Sequence, residues 1–193
     1  MKITNVKFLK SEVKRDESFG LKEIAMVGRS NVGKSSLINY LTNAKIAKTS
    51  SAPGRTRLIN YFSINNNEFL LVDLPGYGYA EASGKEKSSW GQMIEGYLSG
   101  NENLKNILFL VDIRHKPSKD DMQMLGFMNF YAIPYTIVAT KSDKLSKAQI
   151  GVHKQMLAKE LHVGVDNIYV VSALNKTGKD ELLARISQFI TEE

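Results

Sequence analysis

Eight residues, Gly28-Arg29-Ser30-Asn31-Val32-Gly33-Lys34-Ser35, fit the spacing G-x-x-x-x-G-K-[ST]. An apolar run (Ile24 to Val27) precedes them and a helical pattern (Ser35 to Leu41) follows. Backbone N–H groups in such a loop converge on a phosphate chain, and the helix N-terminus adds partial positive charge. Lys34 is placed to reach the β- and γ-phosphates, and the Ser35 hydroxyl to ligate Mg²⁺, with Ser36 continuing the first helical turn. Asn31 stands at the fourth position, where a loop that only had to bend could use glycine.

Three further elements select the ligand. Val72-Asp73-Leu74-Pro75-Gly76 closes an apolar run, so Asp73 is expected at a strand's C-terminal edge, where it can hold a Mg²⁺ water. Gly76 can bring a backbone N–H to a γ-phosphate. Thr140-Lys141-Ser142-Asp143 follows a second apolar run. A carboxylate at Asp143 can accept from the ring N–H and exocyclic amino group of guanine together, whereas adenine offers a lone pair at that ring position. Lys141 can lay its stem along the base. Ser172-Ala173-Leu174, after the last apolar run, can offer a backbone N–H to the guanine oxygen.

Strand patterns at 23–27, 58–64, 68–72, 107–112, 135–140 and 168–171 alternate with helical patterns near 34–41, 86–98, 119–131, 147–161 and 178–190. Asn65-Asn66-Asn67 is a turn signal that makes the second and third strands a hairpin. The expected fold is therefore α/β in three layers: a mostly parallel six-stranded sheet, one strand antiparallel, with helices on both faces. Residues 21–193 read as one nucleotide-binding domain, and residues 1–20 as either an edge strand or an N-terminal arm.

The net charge of +6 is unevenly placed. Residues 1–60 hold 12 Lys/Arg against 4 Asp/Glu, a balance of +8; the remainder holds 14 against 16, a balance of −2. Such an excess is either a solvated surface or a polyanion contact. Disulfides and thiolate metal sites are excluded, since the chain has no cysteine. No apolar run approaches the roughly 20 residues that span a bilayer, and the N-terminus has no signal-peptide core. The expectation is a cytoplasmic monomer without a membrane contact.

The chain resembles the EngB (YihA/YsxC) family of bacterial ribosome-assembly GTPases, within the translation-factor-type P-loop GTPases. The resemblance rests on GRSNVGKSSLIN, Pro53-Gly54-Arg55-Thr56, DLPGYGYA, Asp112-Ile113-Arg114-His115 and TKSD, and covers roughly residues 20–190. It implies GTP and GDP as ligands, contacted by residues 28–36, 54–56, 73–76, 140–143 and 172–174. It implies Mg²⁺ held by Ser35, by Thr56 when GTP is bound, and by Asp73 through water. It implies hydrolysis of GTP to GDP and phosphate, with Lys34, Asn31, Thr56 and Gly76 as the catalytic set; Tyr77 in place of a water-orienting glutamine reads as slow intrinsic hydrolysis, or hydrolysis completed by something else. The partner implied is the large ribosomal subunit, with a link to cell division and septation; a signalling or division switch acting on a protein partner is the alternative.

Two positions depart from the wider superfamily. Tyr77 follows the D-x-x-G glycine where many GTPases place a water-orienting glutamine. Thr140 stands where asparagine is usual, which puts some ties between base and loop in question. The resemblance offers Asn31 as a replacement for the missing glutamine, helping to hold a K⁺ ion against the phosphates. The alternative is that Asn31 only supports the turn, as asparagine tolerates left-handed backbone. An arginine acting in cis, Arg55 or Arg57, is a rival.

Overall fold

The computed structural model describes residues 1–16, 18–47, 58–78 and 84–191. Seven strands form one sheet: β1 (Val6–Glu12), β2 (Glu23–Gly28), β3 (Ile59–Ile64), β4 (Phe69–Asp73), β5 (Leu104–Asp112), β6 (Tyr135–Thr140) and β7 (Ile168–Val170). Their order across the sheet is β1-β3-β4-β2-β5-β6-β7. Only β3 runs against the rest, pairing antiparallel with both β1 and β4, while the other neighbours are parallel. Among the described residues five α-helices cover it: α1 (Lys34–Thr42), α2 (Gly84–Leu98), α3 (Lys119–Phe130), α4 (Lys147–Leu161) and α5 (Lys179–Thr191).

The central strands are apolar on both sides because both sides are covered. Along β2, Ala25 and Val27 join the core under α2, α3 and α4 with Ile94, Tyr97, Met124 and Leu157. Ile24 and Met26 point the other way, into the core under α1 and α5 with Leu37, Leu41, Leu182 and Ile186. Helix starts are marked in the sequence. Ser118 and Asp121 form a reciprocal capping box at α3, and Ser146 and Gln149 form one at α4.

The α/β architecture and the single reversed strand are as the sequence implies. The sheet has a seventh strand because Val6–Glu12 pairs along β3. A register shift between Phe8 and Lys10 interrupts its alternation, which hides it from a period-2 reading. The hairpin turn forms at Asn65, Asn66 and Asn67, with φ of 49°, 57° and 72°. Asn65 also fastens the chain start, accepting from Thr4 N at 2.9 Å and donating to Lys2 O at 3.0 Å. Strand β5 begins at Leu104, three residues before its apolar run. The buried Asn106 breaks the apolar pattern there.

Candidate functional site

The end of β2 delivers residues 28–33 to the start of α1. Gly33, with φ 111°, is the N-cap of α1, and no side chain caps it. The first N–H groups of the helix are thus left for a ligand. Asn31 has φ 62°, and its side chain is exposed. The turn-supporting role open to it in the sequence is realised in its backbone. Val32 is buried in the core, Ser35 is half-buried, and Arg29 and Ser36 are exposed.

Strand β4 sets Asp73 and Gly76 against this loop. A Cβ on Gly76 would stand 3.0 Å from Lys34 Nζ and 3.1 Å from Ser30 N, tighter than ordinary contact, so the Gly76 backbone lies close against both. Leu74 is buried, and its N–H donates to Met26 O at 3.0 Å. Pro75 O accepts from Trp90 Nε1 at 2.9 Å. Ser30 N donates to Tyr77 O at 2.8 Å, within a short parallel bridge between Arg29 and Tyr77.

Tyr77 itself is directed away from the loop. Its hydroxyl donates to Asp121 Oδ1 at 2.7 Å, and its ring packs edge-on against Trp90 at 5.4 Å. Burial and the neighbouring Asp121 carboxylate push its phenol well above the ordinary value, so it stays protonated as a donor. Asp121 is meanwhile held by Ser118 N and Oγ, each at 2.7 Å. The residue in the usual glutamine position is therefore an anchor between the β4–α2 segment and α3.

Asp73 is buried, and its Oδ1 has no hydrogen-bond partner among the described residues. Burial raises its pKa; the attraction of Lys34 and a hydrogen bond from Asn60 act against this. Among the described residues no cluster of three His, Cys, Asp or Glu side chains could hold a metal. One orphaned carboxylate oxygen near a Lys-Ser loop suits Mg²⁺, which keeps several waters and takes its remaining ligands from phosphate.

At the opposite end, Asp143 Oδ1 accepts from Ser172 Oγ at 2.8 Å, so these two parts of the expected base site meet. Ser172 Oγ also accepts from Asn175 N at 3.0 Å, shaping the turn that carries half-buried Ala173 and exposed Leu174. Ser142 is buried beneath this turn, donating from N to Val171 O at 3.3 Å. Thr140, also buried, joins the two ends of the site. Its hydroxyl lies 2.7 Å from Val32 O and 3.1 Å from Val111 O. Within the protein, the threonine side chain ties β6 to the loop between β2 and α1 and to β5.

Several functional contacts were not legible beforehand. Asp112, the first residue of Asp112-Ile113-Arg114-His115, grips Arg114 through both oxygens and forms an ion pair with Lys141 Nζ at 3.0 Å. Burial disfavours its charge, but the hydrogen bonds from Arg114 and Lys141 outweigh this and hold the carboxyl well below the usual range. The motif was visible; the tether to Lys141 comes from strands β5 and β6 lying side by side. A cleft of about 220 Å³ lies here, lined by Arg29, Asn31, Asp112, His115 and Lys141 among others. Asn60, directly opposite Asp73, carried no motif at all. Gly54, Arg55 and Thr56 lie outside the described residues, as do Arg57 and Tyr79.

The model of a family described as 50S ribosome-binding GTPase matches residues 23–141. A probable GTP-binding protein EngB of Clostridium perfringens (strain 13) is 50% identical over 197 aligned positions, covering 100% of both chains. The crystal structure of a probable GTP-binding protein EngB superposes with a TM-score of 0.72 at 25% identity, covering 89% of this chain and 100% of that one. The structure of Era in complex with MgGDPNP and a segment of 16S ribosomal RNA superposes with a TM-score of 0.67 at 26% identity, covering 90% of this chain and 58% of Era.

Proposed function

Since the chain belongs to the EngB family of GTP-binding proteins and is a P-loop GTPase, we propose that it is a Mg²⁺-dependent GTP/GDP switch that assists assembly of the large ribosomal subunit. The observation that carries the switch reading is the proximity of Gly76 to Lys34, whose Nζ lies 3.0 Å from where a Cβ on Gly76 would stand. A γ-phosphate held by Lys34 must meet this backbone, so its presence is felt directly by the β4–α2 segment.

In this reading residues 28–36 cradle the phosphates, with Lys34 on the β- and γ-oxygens and Gly76 N–H on the γ-phosphate. Ser35 ligates Mg²⁺, and Asp73 holds one of its waters through the buried Oδ1. Gly54, Arg55 and Thr56 belong to the first switch, and Thr56 completes the metal shell in the GTP state. Leu74 and Pro75 carry the second switch. Asp143 and the Ser172-Ala173-Leu174 turn read guanine, while Lys141, steadied by Asp112, supports the base. Mg²⁺ supplies charge neutralisation along the phosphates when bound. Hydrolysis is slow, because the Tyr77 side chain is turned into α3 and offers no amide to water. K⁺ beside Asn31 is the finer addition to this reading.

The ribosomal partner draws support from the family description and from the N-terminal balance of +8. Era, a structural neighbour, is seen with 16S rRNA; here the large subunit is proposed, and a cytoplasmic setting follows from it. Among the described residues no helix is long and apolar enough to cross a membrane. A link to cell division would be a consequence of impaired assembly.

The test is co-sedimentation of the chain with purified ribosomal subunits, loaded with GDP or with a non-hydrolysable GTP analogue. The proposal expects GTP-state binding to the large subunit that falls steeply as salt rises. Absence of binding in both states, with capture of a protein partner instead, would favour the division-control alternative.

A further inference from the structure

Asp73 does not stand alone on its side of the sheet. Ser11 on β1 is directly opposite Asn60 on β3, and Asn60 is directly opposite Asp73 on β4. Directly opposed residues of neighbouring antiparallel strands project from the same face, within reach of one another. This is the face covered by α1, the helix that opens with Lys34: Phe62 and Leu71, two residues from Asn60 and Asp73, belong to its core. The three side chains form a polar row from the solvent-exposed edge of the sheet to a buried carboxylate.

The row has a direction. Ser11 Oγ donates to Asn60 Oδ1 at 2.6 Å. An amide has one acceptor end and one donor end, so engaging Oδ1 decides where the NH₂ group points. Its backbone acceptor, Leu58 O, lies at a marginal 3.5 Å. The Asp73 carboxylate lies directly opposite on β4 and on the same face, and a hydrogen bond from Asn60 favours its charged form against the effect of burial. Asp73 Oδ1 is buried and has no partner among the described residues.

We propose that Asn60 is a positioning residue for Asp73, fixing the carboxylate so that its free oxygen faces a Mg²⁺-bound water, and that Ser11 sets the orientation of the Asn60 amide. The inference rests on the reading of Asp73 as the magnesium carboxylate. It also places the N-terminal edge strand one side chain away from the metal site, through residues that carry no nucleotide-binding motif.

The experiment measures release of a fluorescent GDP analogue from the full chain as free Mg²⁺ is varied, with release in excess EDTA as the metal-free reference. Melting temperature is recorded for every variant. Asn60→Ala is expected to raise the Mg²⁺ concentration for half-maximal retention by roughly tenfold, the scale seen for outer partners of metal ligands, with the EDTA rate unchanged. Ser11→Ala shifts it less, and Ser11→Thr, which keeps the hydroxyl, restores the wild-type curve. Superimposable Mg²⁺ curves for wild type and Asn60→Ala overturn the proposal. Should Asn60→Ala fold poorly, the Ser11 pair decides: equal curves for Ser11→Ala and Ser11→Thr overturn it equally. A wild-type curve without Mg²⁺ dependence removes the metal reading of Asp73, and this proposal with it.

Discussion

The Thr140 hydroxyl sits 2.7 Å from the carbonyl oxygen of Val32, joining the end of β6 to the middle of the phosphate loop across 108 residues of sequence. Through this contact the end of β6 and the loop that opens α1 hold a common geometry. Thr140→Ala is expected to lower stability by about 1 kcal/mol, the net value of one such bond, and to weaken GDP affinity. Thr140→Ser retains the donor and should preserve both. Calorimetric titration with GDP and thermal melting check the pair; unchanged affinity in Thr140→Ala would show the two segments to be independent.

Tyr77 is expected to be an anchor and not a participant in hydrolysis. Tyr77→Phe removes the donor to buried Asp121 while leaving the ring on Trp90. Stability should fall by about 1–3 kcal/mol, because a buried acceptor loses its partner. Single-turnover GTP hydrolysis, with the variant fully loaded and below its melting point, should match wild type. A tenfold loss of rate would place the hydroxyl in the chemistry.

Asn31 poses a separate question, because its φ of 62° makes an alanine there strained for reasons unrelated to any ion. Asn31→Gly removes the side chain while keeping the left-handed backbone accessible. If the amide helps to hold K⁺, wild type hydrolyses GTP faster in K⁺ than in Na⁺, and Asn31→Gly loses that difference. Equal rates in both salts for wild type refute the role.

The Asp112 carboxylate yields a pH prediction. Its folded-state pKa is depressed, since the hydrogen bonds from Arg114 and Lys141 outweigh burial. A depressed acid contributes stability that is fully present above its unfolded pKa of about 3.9 and is lost as pH falls through the folded value. Asp112→Asn should therefore melt below wild type at neutral pH, with the gap closing only below about pH 4. Melting curves between neutral and acid pH test this; a gap independent of pH would mean that packing, not charge, sets the difference.

The phosphate loop and the core strands were legible because their signals are local. Gly33 and Lys34 act within one turn of backbone, and the apolar runs of β2 and β6 announce strands buried on both faces. The edge strand β1 was ambiguous because its lysines and the shift between Phe8 and Lys10 erase the alternation. Asp143 could be marked from its spacing, but its partner Ser172 could not be paired with it beforehand, since 29 residues separate them.

The sequence by itself determined the ligand class, the order of the central strands and helices, and the loop motif between β2 and α1, because these depend on short motifs and on hydrophobic period. Only the tertiary structure decided how the parts are held. Asp112 reaches Lys141 because β5 and β6 are neighbours, Tyr77 meets Asp121 because the β4–α2 segment packs on α3, and Asn60 stands beside Asp73 because β3 and β4 are in that register. Each contact joins distant segments through polar side chains whose types are common everywhere in a chain. Their meaning comes from sheet order and register, and a one-dimensional pattern carries neither.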